Sequence, residues 1–321
     1  MNIYFCRGCV ILGLLSVCLC GPVVDLQAQP PVDAVDAVSK PRLFQKLGNL
    51  ENQTIDESSG LAWSRHHPDS FFTCNDSGGA AAVFWVSSAG KLLAQIDLEN
   101  AKNIDWEAMS AYQTSKKPYL LVADIGDNTL KRNEYQIYVF PEPDFPDPLP
   151  DEGMNRLRAE TQRIEFTFED GSRNCESAAV NPETGELWMI EKLYIDRDLN
   201  RSPGIYVLDF QTPASGPRIA RRIADYPHRN VTGMSFSPNG DRLIVRNYWN
   251  AHLVLRLPDQ GWKHSIGRQQ PVAVPLPIQR QGEAICFSDN EHLIVTSEVI
   301  GQPIWQIDLQ RYLDSRPEKQ P

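Results

Sequence analysis

The stretch Glu176-Ser-Ala-Ala-Val-Asn181 runs into Pro182-Glu-Thr-Gly185 and then into Leu187-Trp-Met189. A small and apolar run, a turn of Pro and Gly, and a second apolar run together signal a β-hairpin. The same unit occurs at four more places. Its first segments there are Ser59-Gly-Leu-Ala-Trp-Ser64, Glu107-Ala-Met-Ser-Ala-Tyr112, Thr232-Gly-Met-Ser-Phe-Ser237 and Glu283-Ala-Ile-Cys-Phe-Ser288. All five align without gaps. Second runs follow at Phe71 to Thr73, Leu120 to Val122, Leu243 to Val245 and Leu293 to Val295.

Working outward, each unit carries a third run rich in β-branched and aromatic residues: Val83 to Val86, Tyr135 to Phe140, Ile205 to Leu208, Leu253 to Leu257 and Ile304 to Leu309. Fourth strands are expected at Leu92 to Leu98, Arg163 to Phe168, Arg218 to Ile223 and Val272 to Leu276. The last unit lacks one, and Arg42 to Leu50 is free to supply it. Repeat starts at 59, 107, 176, 232 and 283 lie 48, 69, 56 and 51 residues apart, a spacing suited to four-stranded blades. The longest interval holds the run Pro141 to Pro150, which no sheet interior accepts and which reads as a surface insertion. These features predict an all-β protein, a β-propeller of five four-stranded blades over 43–313, its ring closed by the N-terminal strand. A sixth blade would have to hide in diverged sequence. An α/β barrel would need long amphipathic helices between strands, and the pattern has none.

The flanks read differently. Arg7, an apolar run from Cys9 to Leu19, and small residues ending at Ala28 give residues 1–28 the layout of an export signal. The run is shorter than the ~20 residues a spanning helix needs. Val17 and Leu19 precede Cys18 and Cys20, where a lipidation motif takes Gly or Ala, so a plain signal fits better than a lipid anchor. Residues 29–42 read as a linker and 314–321 as a tail. The expected location is periplasmic or extracellular, with no transmembrane anchor once the signal is removed, and a monomer. Beyond the signal only Cys74, Cys175 and Cys286 remain, an odd number that specifies no disulfide framework. Cys175 and Cys286 could bridge, but buried thiols are the simpler reading.

With 31 Lys and Arg against 41 Asp and Glu, the net charge is −10 and the pI about 5.1. Nucleic-acid binding calls for a basic stripe, which the sequence does not carry. A cation suits this balance better.

Antiparallel pairing sets the start of each first strand beside the end of its second. The pairs are Ser59 with Asn75, Glu107 with Asp124, Glu176 with Glu191, Thr232 with Asn247, and Glu283 with Ser297. All ten are polar and are expected at one mouth, with Glu57, Asp76, Asp105, Asp127, Asn128, Lys192, Arg246, Tyr248 and Glu298 nearby. Glu107, Glu176 and Glu283 share one repeat position and point to a common axis, where like charges repel unless a cation or a basic side chain sits among them. Oxygen ligands without His or Cys favour Ca²⁺, so Glu107, Glu176, Glu283, Asp124 and Asn247 are the candidate ligands. The alternative is structural pairing with Lys192 and Arg246. Asp196 to Asn200 has alternating oxygens but lacks the Gly and Glu of a calcium loop, and reads as a solvated loop. His228 is the candidate general base at this mouth. Trp106, Tyr248 and Trp249 are placed either to stack on a ligand or to pack between blades.

The runs Asp105-Trp-Glu-Ala-Met109, Asp124-Ile-Gly-Asp-Asn128 and Cys175-Glu-Ser-Ala-Ala-Val180, with Leu187-Trp-Met-Ile-Glu-Lys192, resemble blades of bacterial SdiA-regulated-type, NHL-like propellers. More distantly, the layout is similar to the calcium-dependent lactonase and phosphotriesterase propellers, whose mouth binds Ca²⁺ through Glu, Asn and Asp. That resemblance implies a calcium site at Glu107, Glu176, Glu283, Asp124 and Asn247. Two functions follow. One is an exported propeller that binds a metal, a small molecule, or a protein or peptide at its acidic mouth. The other is a calcium-dependent esterase or lactonase. No catalytic motif decides between them.

Overall fold

The computed structural model describes residues 42–114, 117–144, 155–196 and 198–316. The expected signal, the expected linker apart from Arg42, and residues 317–321 of the expected tail lie outside the described residues. β1 (Phe44–Asn49) leads the described chain, and β2 (Ser58–Trp63), β3 (Ser70–Asn75), β4 (Ala82–Ser87) and β5 (Leu92–Glu99) form the first blade. The second comprises β6 (Trp106–Gln113), β7 (Pro118–Asp124), β8 (Tyr135–Pro141) and, after the added β9 (Asn155–Glu160), β10 (Gln162–Phe168). β11 (Cys175–Val180), β12 (Leu187–Glu191), β13 (Gly204–Leu208) and β14 (Arg218–Asp225) build the third. The fourth holds β15 (Val231–Phe236), β16 (Arg242–Asn247), β17 (Asn250–Leu255), the one-turn α1 (Trp262–Ser265) and β18 (Val272–Pro275). β19 (Gly282–Phe287), β20 (His292–Ser297) and β21 (Pro303–Asp308) complete the fifth, and α2 (Leu309–Asp314) follows. Leu309, expected at the end of the last strand, instead begins this helix, because the Asp308 side chain caps it by accepting from the Arg311 N–H at 2.8 Å.

The innermost strands β2, β6, β11, β15 and β19 each pack on the next, and β19 packs on β2. Five blades therefore close a ring. β1 pairs antiparallel with β21, so the fifth blade is built from both ends of the described chain and its edge is covered.

The insertion after β8 departs from a plain four-strand pattern. β9 adds to the first blade, parallel to β5, before β10 returns to the second. β10 also pairs in parallel with β14, fusing the outer edges of the second and third blades into one eight-stranded sheet. Both pairings use free edges that sequence periodicity does not mark.

Small residues at the axis answer to close approach between blades. A Cβ on Gly60 would lie 2.6 Å from the Met109 nitrogen, and one on Gly233 would lie 2.5 Å from the Glu283 carbonyl oxygen. Ser110 and Ser235 accept N–H bonds from Val180 and Phe287 of the neighbouring blades at 3.1 and 3.2 Å. Each interface between adjacent blades has its own hydrophobic cluster. Trp85, Trp106, Trp188 and Trp262 are fully buried in these layers. Cys74, Cys175 and Cys286 are buried free thiols.

Candidate functional site

Every innermost strand carries the same irregularity at its start. Ser58, Trp106, Cys175, Val231 and Gly282 pair with Asn75, Asp124, Glu191, Asn247 and Ser297. The next residue is skipped: Ser59, Glu107, Glu176, Thr232 and Glu283, with Ala284 skipped as well in the fifth blade. The expected pairs are thus offset by one, because a β-bulge inserts an unpaired residue and re-aims its side chain. The repeat position that holds the glutamates is the bulged one.

The bulges bring Glu107, Glu176 and Glu283 together, with carboxylate oxygens within 4.8 Å of one another, all three buried. Asp76, Asp105 and Glu107 form a second such group, so Glu107 belongs to both. Gly126 leaves the space for this. A Cβ there would lie 2.4 Å from both Asp105 Oδ2 and Glu107 Oε1.

Among the described residues, one ammonium enters the cluster. Lys192 is bonded to the Glu176 carboxylate and donates to the Tyr248 hydroxyl at 2.7 Å, with its charge over the Tyr194 and Tyr248 rings. Burial opposes that charge, but Glu176 and Tyr248 outweigh it and hold Lys192 above the usual lysine value. The remaining acids repel. Burial, and then the charges of Glu176, Asp76, Asp105 and Glu283, push Glu107 well above the usual carboxylate range. Burial raises Glu176 to about 8 despite Lys192, Asp76 to about 7 and Glu298 to about 9. Asp105 and Glu57 are raised as well, by burial first.

Other residues expected at this mouth are held in structural bonds. Asp124 pairs with Arg132 at 2.7 Å and accepts from the Ile104 and Asp105 N–H groups at 3.2 and 3.3 Å. Asn247 caps the next turn, accepting from Trp249 and Asn250 at 3.0 and 2.8 Å. Asp124 is not part of the groups of converging carboxylates. Glu191 receives both guanidinium nitrogens of Arg201 at 2.5 and 2.6 Å. Asp127 accepts from the Lys131 and Arg132 N–H groups and from the Tyr135 hydroxyl. The Asn75 amide donates to Thr54 O and Asp56 Oδ1, both at 2.7 Å, and Asn128 accepts from Tyr194 Oη at 2.6 Å.

Arg246 departs from its expected role. It is buried, but its guanidinium donates to Gln279 Oε1 and to the Ala284 and Thr296 carbonyls instead of pairing with a carboxylate among the described residues. Burial lowers it to about 9. His228 stacks on His252 of β17, a third strand, with ring centroids 3.6 Å apart. Burial lowers both rings, His252 to about 4. Trp106 is buried and packs on Tyr138, whereas Trp249 is 60% exposed. The ion pairs of Arg132 and Arg201 and the stack of His252 have no repeat signature, since each arginine sits in a loop of its own length.

The loops of this face also carry most of the exposed large apolar side chains. Ile104, Leu130, Ile195, Leu199, Trp249, Ile278 and Ile300 all lie in connections on the mouth side. An acidic centre is thus set inside a partly apolar rim. Among the described residues, no helix is long and apolar enough to cross a membrane.

No protein-family model matches the sequence, and no curated protein sequence matches it. Solved structures similar in fold include the PQQ-bound aldose sugar dehydrogenase of Streptomyces coelicolor, at 11% identity and a TM-score of 0.47 over 82% of this chain and 97% of that one. The luciferin-regenerating enzyme is similar at 11% identity and 0.43, over 82% and 94%. Nidogen in its laminin complex is similar at 14% identity and 0.43, over 79% and 84%.

Proposed function

We propose that this chain is an exported binding propeller whose acidic mouth holds a divalent cation, calcium by the chemistry of its ligands. Glu107 carries the reading. It is 3% exposed, forms no hydrogen bond or ion pair with a described residue, and faces Glu176, Glu283, Asp76 and Asp105. An uncompensated buried carboxylate costs several kcal/mol, and a single ammonium at Lys192 cannot neutralise the group. Oxygen ligands alone fit a hard ion. Glu107, Glu176 and Glu283 would hold it, with Asp76 and Asp105 on its open side.

A bound Ca²⁺ supplies a positive point for a carbonyl or carboxylate oxygen. The chain itself supplies the rim: Trp249 and its apolar neighbours offer contact area to a small molecule or peptide docked over the ion. Export of the chain would match the site to compartments where calcium modules work at about 10⁻⁴–10⁻³ M.

Melting the purified protein in EDTA and again with Ca²⁺ restored tests the reading. Calcium should raise Tm by mass action, and Glu107→Gln should abolish the response. An identical midpoint with and without the ion, joined to elemental analysis finding no metal, would overturn it.

A further inference from the structure

Calcium holds its oxygen ligands at about 2.3–2.6 Å, so the ligands of one ion lie at most about 5 Å apart. Two groups of three carboxylates meet that limit at the acidic mouth, each with oxygens within 4.8 Å of one another. Glu107, Glu176 and Glu283 make the first, and Asp76, Asp105 and Glu107 the second. A single cation among the three glutamates leaves Asp76 and Asp105 unbalanced.

Charge counting points the same way. The two groups hold five carboxylates, and among the described residues one ammonium, Lys192, is bonded to them. With all of these ionised, four negative charges remain, and one divalent ion leaves two. Arg132 does not offset them, since its guanidinium is paired with Asp124 at 2.7 Å. Glu57 and Glu298, both close enough to feel Glu283, add further negative charge.

Independently of that count, the second group holds carboxylate oxygens without a partner. Glu107 is 3% exposed and forms no hydrogen bond or ion pair with a described residue. Asp76 Oδ1 is buried and accepts no hydrogen bond. Glu107 Oε1 and Asp105 Oδ2 border the same space beside Gly126, each 2.4 Å from where a Cβ would stand. An ionised carboxylate only accepts, so burying its oxygens without a donor is costly unless a cation meets them. Asp76 and Asp105 are half-buried whereas the three glutamates are buried, so an ion reaches the second group from solvent.

We propose that the acidic mouth binds two calcium ions, with the Glu107 carboxylate bridging them. The inner ion sits among Glu107, Glu176 and Glu283, and the outer one among Glu107, Asp76 and Asp105. This rests on the mouth being a cation site and adds a second position to it. Ions that share ligands in this way stand about 3.5–4 Å apart, and their mutual repulsion makes the outer one the weaker. Ca²⁺ takes six to eight oxygens, so the solvent-facing ion keeps positions for water or for an oxygen of a docked ligand.

Calorimetric titration of the purified, metal-stripped protein with Ca²⁺ alone tests this, beside elemental analysis of the loaded protein. Two binding steps are expected, the weaker at about 10⁻⁴–10⁻³ M, with two calcium ions per chain. Asp76→Asn and Asp105→Asn should each weaken the second step at least tenfold and leave the first nearly unchanged, whereas Glu107→Gln should weaken both. Mixed loading of the wild type with Tb³⁺ and Eu³⁺ needs no variant to fold, and energy transfer between the two is expected at so short a separation. Two bound lanthanides without transfer would overturn the proposal. One calcium ion per chain would overturn the second position and leave a one-ion mouth standing, and no ion at all would overturn both. Two ions that Asp76→Asn and Asp105→Asn hold as tightly as the wild type would place the second elsewhere and overturn the bridge.

Discussion

Lys192 and Glu176 form a buried ion pair across the hairpin of β11 and β12, sixteen residues apart in sequence, and the Tyr248 hydroxyl from the next blade closes over it. The pair neutralises one of three glutamates and leaves the other two facing each other. Lys192→Met removes the only ammonium bonded to the cluster among the described residues. It should destabilise the EDTA-treated protein by about 3–5 kcal/mol, the usual cost of stranding a buried charge. Calcium should recover a large part of that loss, because the ion compensates the same carboxylates. Denaturant melts of wild type and variant, each with and without Ca²⁺, measure the difference. Equal losses in both conditions would mean that the ion and the ammonium do not share a site.

The raised carboxyls predict an unusual pH profile for the metal-free protein. Asp76 is held at about 7 and Glu298 at about 9, against usual values of 3.8 for Asp and 4.5 for Glu. A group whose folded value is raised keeps its proton after the unfolded chain has released it. Folding then takes up protons, and stability falls as pH rises through that window. In EDTA, Tm should therefore decline from about pH 4.5 to about pH 9, where most acidic proteins hold steady. With Ca²⁺ bound the decline should flatten, since the ion replaces the protons. Melting curves across this range decide it, and a flat profile in EDTA would contradict the burial of these acids.

The hairpins, the five blades and the closing strand could be read from the sequence because each repeats at nearly constant internal spacing. Ser59, Glu107, Glu176, Thr232 and Glu283 share one repeat position for a physical reason that spacing does not reveal, namely a bulge that turns each toward the axis. With that bulge, Asp124 and Asn247 pair with Trp106 and Val231, and their side chains meet Arg132 and a turn. The partners of Arg246 and His228 were beyond sequence reasoning. They are Gln279 and His252, which belong to other elements and follow no repeat. β9 and its pairing with β5 were hidden for a similar reason, as a parallel edge pairing leaves no turn between partners.

Close packing at the axis makes Gly233 a point of leverage on the site. A Cβ there would meet the backbone carbonyl of Glu283 at 2.5 Å, and backbone cannot rotate away. Gly233→Val should cost about 1–3 kcal/mol through overpacking. It should also weaken the calcium response, because the fifth blade must move and carries Glu283 with it. Thermal melts give the first quantity and calcium titration the second. A variant as stable as wild type would show that the fourth and fifth blades slide apart freely.

Gly126 separates the fold from the site more cleanly. Its missing side chain leaves room for Asp105 Oδ2 and Glu107 Oε1, each 2.4 Å from where a Cβ would stand. With Asp105 Cγ at 2.5 Å, all three are side-chain atoms, so Gly126→Ala should displace the two carboxylates before any backbone. Its N–H bond to the Asp105 carbonyl, at 3.2 Å, is retained by any residue but proline. The expected result is calcium affinity reduced at least tenfold, about 1.4 kcal/mol, with Tm in EDTA nearly unchanged. If the ion were held elsewhere, affinity would not move. If the acids served only to brace the ring, Tm in EDTA would shift while calcium had no effect on either protein. Titration of both proteins with Ca²⁺, beside their melts in EDTA, distinguishes a cation site from an acidic cluster that only braces the fold.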